Sequence, residues 1–145
     1  MRNYFLLVTV AAVGGLAVAL QAQFMGLMGK AMGTLESVFL TYASGGMLIA
    51  IVMLVRGGGN LALWRSVPWY ALTAGALGLI IVGTIAYIVP RLGLVLAFTI
   101  LVASQFLTGA VLDHFGLLSA AVRPLDLSRL FGVAVLLVGV WLIMR

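Results

Sequence analysis

Five long apolar stretches fill this chain almost from end to end, and its polar residues gather between them. Each stretch approaches the ~20 residues that a helix needs to cross a ~30 Å hydrocarbon core. No water-soluble chain hides so much apolar surface: 65% of the 145 residues are hydrophobic and 8% are charged. In a bilayer the backbone amides must be satisfied within each segment, so the spans are predicted to be helices. Five is an odd number, and an odd number of crossings puts the two ends of the unit on opposite sides. Such a unit does not easily enclose a solute path alone. Two copies in opposite orientation do.

The punctuation predicts one transmembrane domain over 1–145, all α-helical, with helices at about 4–28, 34–55, 68–89, 94–112 and 128–144. Gly29 to Gly33 reads as a short turn, and Arg56-Gly57-Gly58-Gly59-Asn60 is the clearest break. Pro68 suits the first turn of the third helix, where its missing N–H is harmless. Pro90-Arg91-Leu92-Gly93 reads as the end of that helix, and Asp113 to Leu127 as the longest loop. Arg2, an apolar run and Ala17-Val18-Ala19 have the outline of a secretory signal. The run continues past the cleavage-like site, so it is read as a span.

The net charge is +5. The basic residues sit singly at the ends of apolar runs and form no stripe, which argues against nucleic acid and for a membrane surface. Counted by side, Arg2, Arg56, Arg65, Arg123 and Arg129 oppose Lys30, Arg91 and Arg145. Five against three is a shallow bias. The positive-inside rule then favours a cytoplasmic N-terminus only weakly, and insertion in both orientations is as well supported as a single one.

Few side chains remain to carry function. Glu36 is the only glutamate. An acidic group facing a cavity in the membrane would couple proton movement to substrate movement. In the first turn of the second helix, beside an N-cap at Thr34, it is equally served by the helix dipole and the headgroups. Ser37, Thr41 and Ser44 share one face with Tyr42 nearby, a stripe that either lines a path or joins two helices. Ser104, Gln105 and Thr108 form a denser polar cluster in the fourth helix, where lipid cannot satisfy an amide. Gln21 and Gln23 lie late in the first helix, toward the far interface or a cavity. Gly132 and Gly139 share a face of the fifth helix and suggest a packing seam. The candidates for substrate binding or coupling are therefore Glu36, Gln21, Gln23, Tyr42, Ser104 and Gln105.

Enzymatic chemistry is not expected. Asp113 and His114 are sequence neighbours and do not face each other on a helix, so they read as a helix-end cap or a loop-ordering pair. One histidine without cysteine makes no metal site. No nucleophile-elbow context surrounds Ser104. No catalytic residue, metal or cofactor is expected. A channel is disfavoured by the lack of a charged ring or carbonyl filter.

Several blocks carry a family resemblance that spans the chain. They are Pro90-Arg91-Leu92-Gly93, Ser104-Gln105, Asp113-His114-Phe115-Gly116, Arg123-Pro124-Leu125 and Arg129-Leu130 before Gly132. Gly33-Thr34-Leu35-Glu36-Ser37 and Gly45-Gly46 fit in the first half. With them the chain resembles the YdcZ-type family of the drug/metabolite transporter superfamily. The resemblance implies a five-helix unit equal to half of a ten-helix transporter built from inverted repeats, assembled as an antiparallel dimer. Its site would lie at the interface of the inverted copies. Two departures matter. Met25 stands where family members often carry asparagine. The buried glutamate that four-helix relatives use in helix 1 is missing, leaving only Gln21 and Gln23 there.

The expected function is secondary-active transport of a small molecule, with export the expected direction, in the bacterial inner membrane as a multi-pass protein. The expected partners are a small-molecule substrate, membrane lipid, and an antiparallel copy or a paralogous five-helix chain. The alternative is an accessory membrane subunit that transports nothing itself and needs a sister chain of opposite topology.

Overall fold

The computed structural model describes residues 2–145, with side chains from residue 4 onward. The side chain of Arg2, counted above, lies outside the described residues. Among the described residues the regular structure is helical: α1 (Arg2–Met32), α2 (Thr34–Val55), α3 (Ala74–Leu92), α4 (Leu94–Phe115) and α5 (Leu127–Ile143), with short 3-10 turns between. Four helical segments have the length and apolarity of membrane spans, with mean hydropathy 2.1–2.2. α5 is equally apolar but has 17 residues. The chain divides into two compact units, Met1–Arg91 and Leu92–Arg145.

In the first unit α1 runs straight through the turn expected at Gly29 to Gly33. Lys30, Ala31 and Met32 are good helix formers and continue the helix. Gly33 alone stops it, at φ +112°, where other residues rarely go. Gly33, not Thr34, is therefore the N-cap of α2, and its carbonyl accepts from the Ser37 N–H at 3.2 Å. Gly93 repeats the device before α4, with φ +79° and ψ 163° against ψ 160° at Gly33. Its carbonyl accepts from the Ala97 N–H at the same 3.2 Å.

α2 ends in a Schellman motif. The Gly58 N–H bonds the Met53 carbonyl at 2.8 Å and the Gly57 N–H bonds that of Leu54 at 3.1 Å. The chain then passes through the 3-10 turns Leu61–Ser66 and Trp69–Thr73. The third span thus begins as an α-helix at Ala74, six residues after the expected start at Pro68. Pro68 instead precedes the second 3-10 turn, with extended ψ of 136°.

α1, α2 and α3 pack at one end of this unit. The buried stripe of α1 is Ala22, Met25 and Gly26, the spacing of one helical face. Ser37 of α2 is fully buried, and its hydroxyl donates to the Met25 carbonyl at 3.1 Å. α3 contributes Ile85, Ala86 and Val89. Pro90 sits inside α3 and does not end it as expected. Proline has no N–H, so the Ala86 carbonyl loses its intrahelical donor. Gly29 of α1 lies against that carbonyl: a β-carbon there would stand 3.1 Å from the Ala86 oxygen. The missing side chain lets the two backbones approach closely.

In the second unit α4 extends to Phe115, so Asp113 and His114 belong to its last turn and not to the expected loop. Gly116 in the left-handed region ends it. α5 starts at Leu127, where the Asp126 side chain accepts the Arg129 N–H at 2.8 Å. That N-cap was not anticipated in placing the helix start near Ser128.

Arginines lie over aromatic rings at the ends of elements. Arg91 lies 3.7 Å from the Tyr87 ring centre and Arg145 lies 4.1 Å from that of Trp141. Such pairs suit the headgroup level, where an aromatic ring and a cation both find partners.

Candidate functional site

In the first unit, Glu36 is exposed in the first turn of α2. Its carboxylate folds back over Gly33, close enough that a β-carbon at Gly33 would collide with Oε2. That position places the negative charge at the helix N-terminus, where the dipole favours it. Around it lies an apolar hollow formed by Met32, Leu35, Phe39 and Leu40.

Gln21 and Gln23 flank the buried Ala22 and are both exposed. Two residues apart on a helix, they point to different faces. Tyr42 reaches α3: a β-carbon at Gly78 would collide with its hydroxyl, so only glycine admits the phenol there. Of these four, only Glu36 lines the hollow just described.

The polar stripe of α2 separates into two kinds of group. The Ser37 hydroxyl crosses to α1, as described above. Thr41 donates to the Ser37 carbonyl at 2.8 Å and Ser44 to that of Leu40 at 2.7 Å, both within their own helix. Ser37 therefore joins helices, while Thr41 and Ser44 are satisfied locally. Met25, the departure from the family pattern, is 1% exposed and serves packing.

In the second unit, Ser104 also bonds back along its helix, to the Ile100 carbonyl at 2.9 Å. Gln105 does not share that fate. It lines a cavity of about 670 Å³ between α4 and α5, together with Asp113 of α4 and Arg129 of α5. Neither Asp113, placed at the start of the longest loop, nor Arg129, noted as a charge and in a family-resemblance block, is among the site candidates read from the sequence.

The loop between α4 and α5 is tied down by three hydrogen bonds. The Arg123 N–H donates to the Asp113 carbonyl at 2.8 Å. The Leu125 N–H donates to His114 Nδ1 at 3.1 Å. Arg129 Nη1 donates to the Arg123 carbonyl at 3.2 Å. His114 also meets Phe115 edge to face at 4.7 Å. The pair at 113–114 thus orders the loop, one of the roles its position suggested. Gly132 and Gly139 have open space where a side chain would stand, so neither makes a close helix contact among the described residues of its unit.

No curated protein and no solved structure matches the chain. A family model described as "Putative inner membrane exporter, YdcZ" matches residues 6–142. With nearly its whole length matched and its helices long and apolar enough to span, the chain belongs to the YdcZ family and is a multi-pass protein of the inner membrane.

Proposed function

We propose that this chain is one half of a secondary-active exporter for a small molecule, working as two copies of opposite orientation. The family match over residues 6–142 is the observation that carries the reading, since it is to a family of inner membrane exporters. In this reading α5 is the fifth span. Its 17 residues rise about 25 Å at 1.5 Å each, at the short end of the range for a crossing. The five crossings and the five-to-three distribution of basic residues favour pairing of inverted copies.

Glu36 is the coupling carboxylate of the proposed assembly. Exposed within an apolar hollow in a single copy, it would be enclosed only when a second copy covers it. Gln105 supplies an amide to the cargo, and Gln21, Gln23 and Tyr42 supply polar groups along the path. Ser104 contributes less, because its hydroxyl is already engaged.

The test is reconstitution of the purified chain into sealed vesicles with an imposed pH gradient. Export predicts that labelled cargo is driven against its own concentration gradient and that the flux stops when the gradient is collapsed. A chain that binds solutes but moves none of a broad labelled panel under any gradient is not an exporter.

A further inference from the structure

α4 and α5 of the second unit pack against each other over part of their length and leave a partly open hollow beside that contact. The space between them, about 670 Å³, falls in the range of small-ligand sites. α4 turns Gln105, Gly109 and Asp113 toward it at intervals of four residues, and α5 turns Arg129 and Gly132 toward it. The two glycines are the first clue. A β-carbon at Gly109 or at Gly132 would meet no atom within 4 Å, whereas one at Gly26 or Gly29 would meet a neighbour at 3.1 Å. Gly26 and Gly29 bring backbones together. Gly109 and Gly132 have open space beside them, so a larger side chain at either would enter the hollow they line.

The charges are the second clue. Asp113 and Arg129 line the same cavity, and the Asp113 carboxylate has no partner among the described residues. The Arg129 head is held by the Arg123 carbonyl, and the N–H of that same residue is bonded to the Asp113 carbonyl. One residue of the loop therefore ties the Arg129 head to the backbone of Asp113. The acid and the base line one cavity, and a guanidinium with one nitrogen engaged still has donors to give. A ligand with a single positive charge would be drawn to Asp113 and repelled by Arg129, and a single negative charge would meet the reverse. A head bearing both charges satisfies both groups. Gln105 lies eight residues from Asp113, about 12 Å along the helix, with Phe106 and Val133 lining the apolar space.

We propose that this cavity binds a small amphiphile whose head carries adjacent positive and negative charges. The cation rests on Asp113, the anion on Arg129, and an apolar body of about 12 Å or less runs over Gly109 and Gly132 toward Gln105. A free zwitterionic solute and the headgroup of a zwitterionic lipid share this chemistry. As an assignment of cargo the proposal rests on the exporter reading above; as an assignment of a binding site it is measured without transport.

The test compares three probes of similar body on the purified chain in detergent: hexylphosphocholine, hexyl phosphate and hexyltrimethylammonium. The zwitterion should bind at least about tenfold more tightly than either singly charged probe. Asp113→Asn and Arg129→Gln should each remove that preference. Gly132→Leu, which enters open space, should abolish binding without lowering the unfolding midpoint. A parallel arm in nanodiscs compares phosphatidylethanolamine with phosphatidylglycerol. Retention of the former by wild type but not by Gly132→Leu supports the proposal with lipid as the source, and binding of the free probe supports it with a solute as the source. Equal binding of all three probes overturns the proposal, as does binding indifferent to Gly132→Leu. Failure of both hexylphosphocholine and phosphatidylethanolamine to bind overturns it as well. Selective binding with no flux in vesicles would instead overturn the exporter reading and leave the site standing.

Discussion

Replacing Ser37 with alanine removes one oxygen from the tightest place in the first unit. The residue is fully buried, and its hydroxyl donates to the Met25 carbonyl of the neighbouring helix at 3.1 Å. Interhelical hydrogen bonds in membrane proteins contribute about 0.6 kcal/mol on average and about 1.7 kcal/mol at most. At 3.1 Å this bond is longer than the usual ~2.7–2.8 Å for a hydroxyl donor, which places it in the lower half of that range. The expected loss is about 0.6–1 kcal/mol, a factor of ~3–5 in the unfolding constant. Thr41→Val and Ser44→Ala are the internal controls. Their hydroxyls return to carbonyls of their own helix, so removal should stay within about 0.5 kcal/mol. Ser37→Leu should be worse than Ser37→Ala, because overpacking a closed site costs about 1–3 kcal/mol. Unfolding of the purified chain in mixed micelles, titrated with a denaturing detergent, reads all four. If Thr41→Val costs as much as Ser37→Ala, or if Ser37→Leu is neutral, the division of the stripe into joining and local groups is wrong.

Three other outcomes follow from the geometry. Gly29→Ala should be less stable than Gly14→Ala by about 1–3 kcal/mol in the same assay, since its new methyl meets the Ala86 carbonyl while that at Gly14 meets nothing. Glu36→Gln should reach the membrane in normal amount and lose pH-driven flux in vesicles; unchanged flux would remove Glu36 from the coupling role. His114→Ala leaves the Leu125 N–H without its acceptor and should loosen the loop by about 1 kcal/mol, read as faster protease cutting within 116–126 at unchanged helix content.

The spans were legible because length and apolarity alone define them, and no pairing of distant residues is needed to see them. The junctions were less so. Gly29 to Gly33 contains two glycines, and composition cannot say which one turns the chain; the left-handed φ belongs to Gly33 alone. Pro90 looks like a terminator, yet α3 runs on to Leu92, with Gly29 of α1 lying against the Ala86 carbonyl. The end of α4 moved for a similar reason: Asp113, His114 and Phe115 do not break a helix, and Gly116 does. Of the site, Gln105 was readable as an amide that lipid cannot satisfy. Arg129 was not, since its place in the same hollow as Asp113 comes with a bond to the Arg123 carbonyl that no local pattern encodes. The Asp126 cap three residues before Arg129 was a local signal and could have been used.

The central claim is that two copies work in opposite orientation, and topology is its most direct measure. The chain has no cysteine, so a single one introduced at Asn60, exposed and at negative φ in the loop after α2, reports one side of the membrane. Labelling intact cells with an impermeant thiol reagent, then permeabilised cells, gives the fraction of copies facing out. The account predicts that about half the chains label from outside and all label after permeabilisation. Labelling of all chains or of none from outside would contradict it.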